Sequence, residues 1–268
     1  MSESWVLSPD VRQQRLQILE RLLPTMWAAG ELVMAVYRQD FRVEAKDDAS
    51  PVTEADRQAE ALITAELQTG WPDVPVVGEE AVAAGAQAKV GRRFWLVDPL
   101  DGTREFVGRN GEFTVNVALI EDGRPVLGAV LAPAAGVLYT GGPGLGAWRV
   151  GAGGWEAIRC RVPPAEGLTL LCSRSHNDDA AVNAWLGDRL IRERRAAGSS
   201  LKFCLIAEGQ ADLYPRLGRT MEWDIAAGQA VLEGAGGRVF GLDGAPLRYG
   251  KPGWESPHFV AEGLPGVS

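Results

Sequence analysis

The chain has 268 residues, 46% hydrophobic and 23% charged, which is ordinary for a globular protein and excludes a disordered one. Its formal charge is −8, from 27 basic and 35 acidic residues, so the surface is a poor partner for long nucleic acids or anionic lipid. A small phosphate substrate stays open, because bound divalent cations reverse the local sign.

Three widely spaced cysteines, Cys160, Cys172 and Cys204, form no CxxC pair and read as reduced thiols of a reducing compartment. The N-terminal stretch lacks the basic and apolar regions of a secretory signal. The most apolar helical stretch, Leu16 to Tyr37, is interrupted by Glu20, Arg21 and Glu31, so no membrane span is expected. A cytoplasmic protein follows from these readings.

Apolar positions from about 10 to 38 predict a long amphipathic helix, with Pro24 as a kink or break. A second helix is predicted from Glu54 to Leu67, capped by Thr53. Short buried strands follow at Pro75-Val76-Val77 and at Phe94-Trp95-Leu96-Val97, the second stopping at Asp98-Pro99. From Phe113 to Val150 the pattern alternates, with a turn at Glu121-Asp122-Gly123-Arg124, and predicts an antiparallel meander. Gly151 to Gly154 reads as a junction between an α+β part, 1–152, and an α/β part, 153–268. Beyond it come strand LTLLCS, helices near 178–187 and 199–208, strand ADLYPR and a helix from Asp224 to its C-terminal glycines.

Glu79 and Asp98 stand where apolar runs end, the place from which functional side chains emerge in mixed α/β folds. Asp98 and Asp101 flank Pro99 in a stiff loop closed by Gly102, so both carboxylates are able to enter one pocket. Two ionised aspartates held close repel unless a cation lies between them, and oxygen ligands of this kind suit Mg²⁺ or Mn²⁺. Only His176 and His258 exist, neither with a partner at metal spacing, which speaks against zinc. Each residue alone also has a plain structural reading. Asp98 and Asp101 suit a turn, Glu79-Glu80 a solvated pair, Asp56 a capping box with Thr53, and Asp224 an N-cap.

In combination the segments GEE (78–80), WLVDPLDGTREF (95–106) and WDIAAG (223–228) closely resemble the inositol monophosphatase-like superfamily of metal-dependent phosphatases. SPVTEAD (50–56), RNGEFTVNVALIEDG (109–123), SRSH (173–176) and GSSLKFCLIAEGQADLYPR (198–216) look like its 3′(2′),5′-bisphosphate nucleotidase branch, of the bacterial CysQ type. The likeness covers about residues 10 to 260. It implies an α+β fold of layered αβαβα type, with the metal site between the two parts.

The same resemblance implies roles. Glu79, Asp98 and the Leu100 carbonyl would hold one Mg²⁺, and Asp98, Asp101 and Asp224 a second, with Asp98 bridging. Gly102 and Thr103 amides would bind the scissile phosphate, beside Arg104. The Thr103 hydroxyl, oriented by Asp56, would help deprotonate the attacking water, and Asp56 would reach a third ion through water. Lys202 and Arg216 would take the substrate's second phosphate, Ser199 would add a hydroxyl, and His176 would lie against the nucleoside. On their own, Lys202 and Arg216 read as surface charges, and Arg192, Arg194 and Arg195 as a solvated face.

The implied reaction is hydrolysis of adenosine 3′,5′-bisphosphate to AMP, with 3′-phosphoadenylyl sulfate as a second substrate, in sulfate assimilation, and inhibition by lithium. Metal-activated water would attack, with no protein nucleophile. Two rivals are an inositol or sugar monophosphatase and a regulatory interaction protein on the same scaffold. A monomer or homodimer, with or without loose attachment to the inner membrane face, is compatible with all of this.

Overall fold

The computed structural model describes residues 6–39, 51–87, 89–174 and 179–265. His176 lies outside the described residues. The chain opens with helix α1 (Pro9–Tyr37), in which Ser8 accepts the Val11 amide as N-cap. Pro24 lies inside this helix and does not break it, contrary to one of the two expectations for it. Helix α2 (Pro51–Gly70) starts earlier than expected, because Pro51 has its φ preset for the first helical turn. Thr53 is therefore inside the helix rather than its cap, and Asp56 is not the partner of a capping box.

Strand β1 (Val76–Gly78) leads directly into the short helix α3 (Glu79–Ala83). Strand β2 (Arg93–Asp101) does not stop at Asp98-Pro99 but runs on to Asp101. Helix α4 (Thr103–Val107) follows, then the meander of β3 (Thr114–Glu121), β4 (Arg124–Ala132), β5 (Val137–Gly142), β6 (Gly146–Gly151) and β7 (Gly154–Ala157). The turn between β3 and β4 uses Asp122 and Gly123, both at positive φ, as a tight two-residue hairpin requires. The glycine run 151–154 is the turn of the β6–β7 hairpin, so the first sheet continues through it to Ala157.

The remaining elements are β8 (Leu168–Ser173), α5 (Asp179–Leu186), β9 (Ile191–Ala197), α6 (Leu201–Ala207), β10 (Leu213–Arg216), α7 (Glu222–Gly234), β11 (Arg238–Gly241) and β12 (Phe259–Glu262). Strands β7, β9, β11 and β12 were not anticipated. Strand β9 reads IRERRAA, with Arg192, Arg194 and Arg195 all exposed, so its sequence carries no alternation to reveal it.

Two sheets result, one in the order β1-β2-β3-β4-β5-β6-β7 and one in the order β11-β12-β10-β8-β9. Side-chain alternation sorts their faces. Trp95, Val97, Val115, Val117 and Leu119 join Leu19, Leu22, Met26 and Ile63 of α1 and α2. Their neighbours Phe94, Leu96, Ala118 and Ile120 join Phe203, Cys204, Ala226 and Ala227 of α6 and α7, together with Leu171, Tyr214 and Phe259 of the second sheet. On the far face Leu170, Leu213 and Val260 pack against Val182 and Leu186 of α5. The layers are helix, sheet, helix, sheet, helix, as the resemblance implied.

Burial on both faces explains why FWLV in β2 reads as an unbroken apolar run. Helix α7 lies so close to β4 that a Cβ on Gly128 would sit 2.3 Å from the Ala227 carbonyl oxygen. Cys160 and Cys204 are buried thiols and Cys172 is partly buried. No helix among the described residues is long and apolar enough to cross a membrane.

Candidate active site

Asp98 and Asp101 are three residues apart, which in a regular strand sends their side chains to opposite faces. Their ladder partners on β3, Asn116 and Thr114, are only two apart, so β2 carries one extra residue between them. The irregularity falls at Pro99-Leu100, where proline has no N–H for the ladder. It returns Asp101 to the face of Asp98, which is the face of α6 and α7.

Glu79 enters from the first residue of α3. Asp224 enters from the first turn of α7, where it is the third helical residue and not the N-cap. Its carboxylate accepts the N-cap amide of Met221 at 3.0 Å and the Thr220 hydroxyl at 2.7 Å. One carboxylate oxygen from each of Glu79, Asp98 and Asp224 lies within 4.8 Å of the other two. This trio takes members from both of the ion sites expected above. Asp101 borders the same cleft, with one oxygen bound by the Ser200 amide at 2.7 Å. Asp98 itself accepts the Leu100 amide at 3.0 Å.

The cleft has a volume of about 310 Å³ and is bordered by Glu79, Asp98, Leu100, Asp101, Gly102, Thr103, Arg104, Ser199, Lys202, Arg216 and Asp224. Every expected site residue among the described ones is therefore in its wall except Asp56, which is buried. Asp56 has Glu80, Glu79 and Glu60 as its charged neighbours.

Lys202 is not a solvent-facing helix lysine. It is 4% exposed, and its ammonium donates to the carbonyls of Ala197 at 3.1 Å and Ser199 at 2.7 Å. It also lies 5.0 Å from the centre of the Tyr214 ring. Arg216 donates to the Arg219 carbonyl at 2.7 Å, while its Nε is buried with no hydrogen-bond partner.

The electrostatics are those of crowded, dehydrated anions. Burial, followed by Asp224 and Asp101, pushes the Glu79 carboxyl up to about 8. Burial, then Glu79, Asp101 and Asp224, holds Asp98 well above the usual carboxylate range. Asp101 rises to about 6 through burial and Asp224, opposed by Lys202 and Ser200. Asp224 is raised by burial, against the pull of Met221, Thr220 and Arg216. Burial, with Glu80 and Glu79 behind it, takes Asp56 up to about 8. Lys202 moves the other way, down to about 8, because burial disfavours its charge.

Residues 15–262 match the model of the inositol monophosphatase family. The chain belongs to that family. It is 45% identical over 234 residues to the 3′(2′),5′-bisphosphate nucleotidase CysQ of Salmonella typhimurium, covering 87% of this chain and 94% of that protein. With the protein of the same name from Escherichia coli it shares 47% over 223 residues, covering 82% and 89%. Among solved structures, CysQ from Bacteroides thetaiotaomicron superposes with a TM-score of 0.78 at 34% identity, covering 91% of this chain and 96% of that one. An inositol monophosphatase from Zymomonas mobilis follows the same fold at TM-score 0.76 and 28% identity, covering 92% of each.

For a member of the inositol monophosphatase family a metal site is expected, and the donor set fits one. The trio offers only hard oxygen ligands, and its members raise one another's affinity for protons, an excess of negative charge that a divalent cation would offset. Sequence reasoning missed three residues that support this set. Glu60 accepts the Glu80 and Ala81 amides at the start of α3, at 2.8 Å each. Its spacing of four from Asp56 on one helix face was the available clue. Ser200 and Asn116, both 1% exposed, lie between Asp101 and Asp224, and nothing in their local sequence marks them.

Proposed function

We propose that this chain is a magnesium-dependent phosphatase that removes the 3′-phosphate of adenosine 3′,5′-bisphosphate, giving AMP and phosphate, and acts likewise on 3′-phosphoadenylyl sulfate. The observation that carries this reading is the pairing, in one cleft, of the carboxylate trio with Lys202 and the buried, unpartnered Nε of half-buried Arg216. A nucleoside bisphosphate has two phosphates; one suits the metal carboxylates and the other the two cations. The names of the Salmonella and Escherichia relatives agree with that substrate class.

In this reading Glu79, Asp98, Asp101, Asp224 and the Leu100 carbonyl would hold two Mg²⁺ ions, and Asp56 would reach a third through water. Magnesium supplies acidification of water and charge neutralisation at the leaving oxygen. The chain's own residues do the rest. Amides of Gly102 and Thr103, with Arg104, orient the scissile phosphate, so that the reaction needs mainly positioning and charge stabilisation. The Thr103 hydroxyl, oriented by Asp56, would help position and deprotonate the attacking water. Arg216 grips the second phosphate through paired N–H groups, Lys202 adds a point charge, and Ser199 adds a hydroxyl. His176 would contact the nucleoside, as the family resemblance implies.

A two-part organisation belongs to the same proposal, with the junction moved from 152 to beyond Ala157, where the first sheet ends; Glu79, Asp98 and Asp101 lie on the first part, and the nucleotide contacts and the last metal ligand, Asp224, on the second. So do a cytoplasmic location, with or without peripheral membrane attachment, a monomeric or homodimeric state, and lithium inhibition. A phosphate-release panel tests the function. Adenosine 3′,5′-bisphosphate should be turned over at least about tenfold faster than inositol monophosphate, and EDTA should stop both. Preference for the inositol ester would replace this reading with the monophosphatase one. Absence of turnover on all esters would favour a binding role.

A further inference from the structure

Through its amide and hydroxyl Ser200 makes three hydrogen bonds beside the carboxylate cluster. Its amide donates to Asp101 Oδ2 at 2.7 Å, and its hydroxyl donates to the Asp224 carbonyl at 2.5 Å. The same hydroxyl accepts from Asn116 Nδ2 at 3.1 Å. Asn116 stands opposite Asp98 on β3 and also reaches Asp101 Oδ2 at 3.4 Å. Asp101 Oδ2 and the Ser200 hydroxyl oxygen both accept from Nδ2.

The loop that presents Ser200 is held from both sides. Gly198 donates its amide to Glu112 Oε2 at 2.9 Å, and a Cβ at this glycine would lie 2.5 Å from the Glu112 carbonyl oxygen. Ser199 has φ of 46°, a left-handed conformation unusual for serine, stabilised by the Lys202 ammonium on its carbonyl. The neighbouring Ala197 carbonyl receives the same ammonium. The loop is thereby rigid, and Ser200 has little freedom to choose other partners.

We propose that Ser200, assisted by Asn116, is a positioning residue that sets the spacing of Asp101 and Asp224 and so the affinity of the cluster for divalent cations. The two aspartates come from different layers, one from β2 and one from the head of α7, and like charges drive them apart. The Ser200 amide donates to the Asp101 carboxylate and its hydroxyl to the Asp224 backbone carbonyl. Asn116 anchors that tie to the first sheet. Groups that orient metal-binding side chains in this way typically contribute 10- to 100-fold in affinity. The proposal rests on the metal reading given above.

The test is calorimetric titration of Mg²⁺ alone into the full, metal-free chain at fixed pH, with circular dichroism confirming the fold. Ser200→Ala should weaken Mg²⁺ binding about tenfold or more. Ser200→Thr, which retains the hydroxyl, should remain within about threefold of the parent. Asn116→Ala should weaken it as well, and the double variant should lose less than the product of the two single losses, because the two side chains share a hydrogen bond. Parental affinity in Ser200→Ala, or losses that multiply in the double variant, would overturn the proposal. Should Ser200→Ala not fold, parental affinity in Asn116→Ala overturns it by itself. A parent chain that binds no Mg²⁺ would instead sink the metal reading.

Discussion

The Glu60 carboxylate receives the amide of Glu80 at 2.8 Å, and so fastens helix α2 to the start of α3, where Glu79 leaves the backbone. A second bond from the Ala81 amide, also 2.8 Å, completes the grip. Gly78 makes room for it, because a Cβ there would sit 2.2 Å from the Glu60 carboxyl carbon. Glu60→Gln keeps the shape but turns one acceptor into a donor aimed at a backbone N–H. Turnover should fall about tenfold while the fold persists, as leaving one buried donor unpaired costs about 1–3 kcal/mol. Phosphate release measured alongside circular dichroism would check this.

Asp101→Asn should reduce turnover about a hundredfold or more, the scale of removing one charge-stabilising group from an active site. The same change removes one of the crowded charges that raise Glu79 and Asp98. The metal-free variant should therefore melt at or above the parent's temperature. A drop in both activity and metal-free melting temperature would mean that the residue is structural instead.

The raised carboxyl groups set a pH dependence of stability. Glu79 and Asp56 are near 8 in the fold and near 4 when exposed, so between those values the folded chain binds more protons than the unfolded one. Stability of the metal-free chain must then fall as pH rises from about 4 to about 8. Mg²⁺ competes with those protons, so its stabilising effect should grow over the upper part of the window. Melting temperatures at pH 5 to 9, with EDTA and with Mg²⁺, should diverge toward alkaline pH. Parallel curves would count against a carboxylate ion site.

Arg216→Ala should raise KM for adenosine 3′,5′-bisphosphate about 10- to 100-fold, the usual range for a hydrogen bond to a charged group. KM for a monophosphate ester should change far less. Lys202→Met should show the same bias but with some loss of stability, because its ammonium also holds the Ala197 and Ser199 carbonyls. Steady-state kinetics on the two esters separates these outcomes. Equal effects on both would remove the second-phosphate role.

Gly128→Ala should destabilise the chain by about 3 kcal/mol, because the new methyl would meet the rigid Ala227 backbone rather than a movable side chain. Denaturant unfolding would read this directly. The effect should be the same with and without Mg²⁺, which distinguishes it from the site variants.

Much of this protein was readable before folding. Apolar alternation located the meander, Asp122-Gly123 its hairpin, and the 3.6-residue period α1, because these depend on neighbours close in the chain. The acidic segments at 79, 98–101 and 224 were readable as well, through their resemblance to one family. The edge strands β7 and β9 were not, since exposed strands have no apolar face to alternate. Nor was the turn of Asp101 onto the face of Asp98, which needs the extra residue in the β2–β3 ladder. The meeting of Glu79, Asp98 and Asp224 within 4.8 Å, and the Ser200 tie beside them, arose only when α7 docked on the first sheet. Hydrogen bonds and repulsions between residues about a hundred positions apart depend on where the layers pack, and local sequence does not encode that distance.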